Sequence, residues 1–199
     1  MGIYSGLNMK NAIILHGTSD KEEYYSLEYP SASNFHWLPW LQKQLLVKDI
    51  PTATPEIPHS YMPDYTIWKR EFERFDITPE TILVGHSCGG GFLVRWLSEN
   101  KERAVGKVVL VAPWLDPNKK KGASNNFFDF TMDSELVART GGITIFNSDD
   151  DMEAVHTSVT QIMKTIPNIK LVEFQGKGHF CLSDLGGEAF PELLTEVLN

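Results

Sequence analysis

The sequence predicts an α/β fold, a mostly parallel central sheet with helices on both faces, on three observations. Short β-branched apolar runs alternate with longer amphipathic stretches, which is the rhythm of strand–helix–strand units. The runs are almost continuously apolar, as strands covered on both faces are. A chain of 199 residues with 42% hydrophobic and 11% aromatic content also carries enough apolar side chains to fill one core without metal or disulfide staples.

In chain order, the first strand is 11–16 (NAIILH), followed by a helical stretch over 37–48. A short strand near 52–54 lies among Pro51, Pro55 and Pro58, and proline confines it to a sheet edge. A Trp-bearing helix over 64–75 leads to the strand 81–85 (TILVG), the helix 88–100 and the strand 107–112 (KVVLVA). The strand 143–147 (ITIFN), the helix 152–166, the strand 169–174 (IKLVEF) and the helix 188–198 complete the series. Two segments, 18–36 and 114–133, are longer than ordinary connections and rich in aromatics. They read either as pocket walls or as covers for the sheet edge. Residues 1–8 read as a flexible leader ahead of one domain over 9–199, and the lysines at 119–121 as a solvated loop.

Charge and composition narrow the function. Lys and Arg number 18 against 26 Asp and Glu, a net charge of −8, which disfavours binding to nucleic-acid phosphates or to an anionic membrane surface. Cys88 and Cys181 form no CxxC pair, so neither a disulfide scaffold nor a zinc ribbon is expected and a reducing cytoplasm suits the chain. No apolar run approaches the roughly 18 residues of a membrane span, and the N-terminus lacks the layout of a signal peptide.

The most informative string is Gly85-His86-Ser87-Cys88-Gly89, a G-x-S-x-G motif between an apolar strand and a helix. This is the setting of a nucleophile elbow, in which glycines admit a sharp turn and the serine hydroxyl stands clear of the sheet. A serine needs a base, and the base needs an orienting carboxylate. In α/β-hydrolases these follow the serine as acid, then histidine, each after a later strand. The run Asp149-Asp150-Asp151 follows one strand, and His179 follows the next within GKGHF. Only one of the three aspartates can orient the histidine, because adjacent like charges repel.

For the oxyanion hole, the candidates are the backbone N–H of Cys88 and one from Gly17 or Thr18, which follow the first strand. His16 reads as structural and His86 as a residue that fixes the turn by hydrogen bonding. His36, His59 and His156 show no partner pattern and read as surface or packing residues. No cofactor or metal is implied, since H-E-x-x-H, Walker and G-x-G-x-x-G motifs are all missing from the sequence.

ILVGHSCGG around Ser87, FNSDDD ending at Asp151, GKGHF with His179 and the approach to the Trp68 helix together resemble the small α/β-hydrolases related to the retinoblastoma-binding serine hydrolase. The resemblance implies a compact α/β-hydrolase fold and serine hydrolase activity. It places the acid on Asp151, with Asp150 as the fallback. The chain departs from the pattern at HGTSD after the first strand and at MEAV after Asp151. The leading expectation is a carboxylesterase-like enzyme acting on a small-molecule acyl substrate through Ser87, His179 and Asp151. The alternatives are an acyltransferase and a non-catalytic interaction module, although no protein partner is indicated.

Overall fold

A computed structural model of the chain describes residues 10–118 and 126–199. The leader at 1–8 and the lysines at 119–121 lie outside the described residues. The strands are β1 (Ala12–Leu15), β2 (Thr52–Ala53), β3 (Ile82–His86), β4 (Val108–Val111), β5 (Ile143–Ser148) and β6 (Lys170–Phe174). They form one six-stranded sheet in the order β2-β1-β3-β4-β5-β6, and every adjacent pair is parallel.

Every residue of β1, β3, β4 and β5 is buried, so both faces of the sheet are covered, as the continuous apolar runs require. The edges differ. β2 has two residues, kept short by the prolines that flank it. β6 corrects the expectation of a buried strand: Leu171 is 38% exposed, and Lys170 and Glu173 are exposed as well, because β6 is an edge beyond which no further strand pairs among the described residues.

The helices are α1 (Lys21–Tyr25), α2 (Leu38–Leu46), α3 (Tyr65–Phe72), α4 (Cys88–Glu99), α5 (Glu153–Thr165), α6 (Leu182–Leu185) and α7 (Pro191–Leu198). Asp64 sets the start of α3, its Oδ1 accepting the N–H groups of Thr66 and Ile67 at 2.8 and 3.1 Å. Pro191 sets the start of α7, three residues later than the pattern predicts, since its missing N–H suits a first helical position. Among the described residues no helix is long and apolar enough to cross a membrane.

The two long segments behave differently. Of segment 114–133, residues 119–125 lie outside the described residues. Phe127 is fully buried, with its ring centroid 5.3 Å from Trp68 on α3 and 6.2 Å from Phe92 on α4, so burial of this aromatic pins the chain at that point against the two helices. Segment 18–36 folds into α1 and a 3-10 turn at Ala32–Asn34 and lies over the C-terminal end of the sheet. Successive strands step outward in one direction from β1 to β2 and in the other from β3 onward. The crevice at such a reversal is where open α/β sheets bind ligands.

Candidate active site

Ser87 joins the end of β3 to the start of α4 with φ 52° and ψ −119°, a left-handed conformation that costs a non-glycine residue of order 1–3 kcal/mol. The surroundings enforce it. Ser87 donates its N–H to the Val111 carbonyl at 2.9 Å, and its own carbonyl accepts the N–H groups of Gly91 and Trp114 at 3.1 and 3.0 Å. The motif glycines make the turn possible. A Cβ at Gly85 would lie 2.7 Å from the Gly89 backbone, and one at Gly89 would lie 2.5 Å from the His16 carbonyl oxygen.

Gly17 sits against the serine, where a Cβ would come 3.0 Å from Ser87 Cβ and 3.5 Å from Oγ. His16 holds this strand end as a structural residue. Its Nε2 accepts the Ile57 N–H at 3.0 Å, and its Nδ1–H donates to the Gly17 carbonyl at 2.6 Å. Burial lowers the His16 pKa, which keeps the ring neutral for this pair of bonds. Cys88 is the first residue of α4, so its N–H has no acceptor within the helix. Its thiol is buried, and burial followed by the charge of Asp116 raises its pKa well above the ordinary value. Burial, then Asp184, Asp151 and Glu23, push the Cys181 thiol up to about 12. Neither cysteine therefore offers a thiolate.

The three aspartates divide their work. Asp149 Oδ1 accepts the Gly176 N–H at 2.9 Å. Asp150 Oδ1 accepts the Gly178 N–H at 2.8 Å and the Ser148 hydroxyl at 2.7 Å, and these bonds lower the Asp150 pKa, the one from Ser148 most. Asp151 alone meets the imidazole: both its carboxylate oxygens lie 3.0 Å from His179 Nδ1. Its side chain is 0% exposed, against 20% for His179.

The His179 backbone is held separately. Asp184 on α6 accepts the His179 N–H at 3.0 Å and the Cys181 N–H at 2.9 Å through Oδ2, and the His179 carbonyl accepts from His86 Nε2 at 2.8 Å. His86 thus forms a hydrogen bond, as the sequence suggested, and its partner lies on a distant loop.

Ser87 and His179 line one small cleft of about 70 Å³ together with His16, Gly17, Thr18, Glu23, His36 and Cys181. Two residues that build the site, one in the cleft wall and one behind His179, are missing from the sequence reading of the site. His36 sits in the cleft wall, its Nδ1 accepting the Leu182 N–H at 3.1 Å across 146 residues of chain, a pairing that no local pattern signals. Burial first, then the charge of His179, hold its pKa down to about 4. Asp184 had a weak local signal, since it stands three residues after Cys181 in the spacing of a capping box.

Solved structures share this architecture. The ydeN gene product from B. subtilis is 23% identical over 94% of this chain and 96% of its own, with a TM-score of 0.78. Est1E from Butyrivibrio proteoclasticus is 15% identical over 96% and 89%, with a TM-score of 0.59. FphF, a fluorophosphonate-binding serine hydrolase of Staphylococcus aureus, is 11% identical over 100% and 87%, with a TM-score of 0.60. At these identities the likeness is one of fold. No curated protein sequence matches the chain. The family model described as serine hydrolase matches residues 28–198, and with that match spanning most of its length, over a G-x-S-x-G elbow on a parallel sheet, the chain belongs to the serine hydrolase family.

Proposed function

We propose that this serine hydrolase cleaves small, neutral acyl esters, with thioesters and amides as related substrates, through an acyl-enzyme formed on Ser87. The motifs around Ser87, Asp151 and His179 further suggest kinship with the retinoblastoma-binding serine hydrolases. The observation that carries the reading is the contact of the buried Asp151 carboxylate with His179 Nδ1, in the cleft that also holds Ser87.

A carboxylate at Nδ1 keeps the ring proton on that nitrogen, which leaves Nε2 with the lone pair needed to accept a proton from a serine hydroxyl. Ser87 Oγ attacks the acyl carbon as its proton passes to His179 Nε2. The tetrahedral intermediate collapses, and the leaving alcohol takes that proton. Water then repeats the sequence on the acyl-enzyme, delivering its proton to Nε2 and releasing the acid and free Ser87. The Cys88 N–H and one N–H from the Gly17–Thr18 segment stabilise the oxyanion.

Fluorophosphonate labelling, followed by localisation of the adduct, tests the assignment. The wild-type protein should label at Ser87, and Ser87→Ala should lose both labelling and p-nitrophenyl acetate hydrolysis by several orders of magnitude while keeping its circular dichroism. A folded Ser87→Ala protein with undiminished turnover would overturn it.

A further inference from the structure

His86 is the last residue of β3 and directly precedes Ser87. It is 3% exposed. Its Nε2 lies 2.8 Å from the His179 carbonyl oxygen. A carbonyl oxygen only accepts, so the hydrogen sits on Nε2. Burial above all, followed by the charges of His179 and His36, keeps His86 neutral, so it carries that single hydrogen throughout the working range. The ring is also fixed laterally, with its centroid 5.0 Å from His179, 5.7 Å from Trp37 and 5.8 Å from His36.

The loop over 175–181 needs such a constraint. Gly176, Gly178 and Phe180 all have positive φ, at 61°, 47° and 56°, so its path departs from what ordinary side-chain sterics select. Its other anchors, Ser148, Asp149, Asp150 and Asp184, come from the end of β5 and from α6. They place His179 relative to Asp151. Among the described residues, the hydrogen bond that places this loop relative to the nucleophile's own strand comes from His86.

We infer that His86 is a positioning residue: through its hydrogen bond to the His179 carbonyl it sets the separation between the His179 imidazole and Ser87, and so the efficiency of proton transfer. This rests on the hydrolytic reading above. A displacement of about 1 Å in such a site can cost on the order of 100-fold in rate.

The test compares His86→Phe, which keeps a planar ring but has no donor, with His86→Gln, whose amide N–H reaches about as far as Nε2. The readouts are kcat and KM on p-nitrophenyl acetate, the fluorophosphonate labelling rate and the Tm. His86→Phe should lower kcat and the labelling rate by about 10- to 100-fold with KM within about twofold, and His86→Gln should recover to within about fivefold of wild type. If His86→Phe does not fold, His86→Asn, whose amide is too short to reach, takes its place in the comparison. Wild-type kcat without the donor, glutamine as damaging as phenylalanine, or a loss confined to KM would each overturn the role. If Ser87→Ala is inactive while His86→Phe is fully active, only the positioning role falls. If Ser87→Ala labels and turns over normally, the hydrolytic reading falls and takes this role with it.

Discussion

Both carboxylate oxygens of Asp151 lie 3.0 Å from His179 Nδ1, while Asp150, its neighbour, turns to the Gly178 N–H and the Ser148 hydroxyl. Asp151→Asn should therefore lower kcat/KM by roughly 10⁴, the scale seen when the orienting carboxylate of a Ser-His-Asp protease is amidated. Asp150→Asn should act mainly on the loop, lowering the Tm and reducing turnover much less. Side-by-side kinetics and thermal melts check this, and a more severe kinetic loss from Asp150→Asn would contradict it.

Gly89→Ala should destabilise the protein by about 1–3 kcal/mol, the usual cost of forcing atoms into a packed site, because the new Cβ would meet the His16 and Leu15 carbonyl oxygens at 2.5 and 2.8 Å. Gly187→Ala is the matched control, with nothing within 4 Å of its added Cβ. Urea titrations of the two variants would separate an elbow-specific cost from a general effect of losing glycine. Equal stability would show that the elbow backbone yields.

Glu196 on α7 bonds the Thr144 hydroxyl at 2.7 Å and pairs with Lys107 and Lys170 at 2.9 and 2.6 Å. Burial pushes its pKa up, but the bonds from Lys170, Lys107 and Thr144 outweigh that and bring it from 4.5 to about 2. A carboxyl with a depressed folded-state pKa contributes stability that is complete above its unfolded value and is lost as pH falls through the folded one. Stability should thus decline between about pH 4.5 and 2. Glu196→Gln should cost about 1–3 kcal/mol near neutrality and flatten that part of the profile. Chemical denaturation at a series of pH values measures both effects. An unchanged acid slope would argue against this cluster.

Chain-length preference follows from the cleft. At about 70 Å³, bounded by His36, His179, Thr18 and Glu23, it suits a short acyl group better than a long one. Esters of roughly two to six carbons should be turned over best, since each further CH₂ gains its ~0.8 kcal/mol only where a wall exists to bury it. A p-nitrophenyl ester series below micelle-forming concentrations reads this out. A kcat/KM that climbs through about twelve carbons would mean that a longer groove opens in solution.

The sequence by itself determined the elements that local physics dictates. Apolar runs declared β1, β3, β4 and β5. The glycines at 85 and 89 bracketed Ser87 because nothing larger fits the turn, and the positions of the aspartate run and of His179 followed from the order of the strands. Three matters were left to the tertiary structure. Which aspartate faces the ring depends on how three adjacent side chains fan out from the end of β5, and hydrogen bonds to Gly176 and Gly178 claim two of them. The exposure of β6 depends on its place at the edge of the sheet, with no strand beyond it among the described residues, although its composition resembles that of a covered strand. The partners of His36 and His86 lie 146 and 93 residues away, and contacts over such separations are made by the crossing of loops at the sheet's end, which no local periodicity encodes.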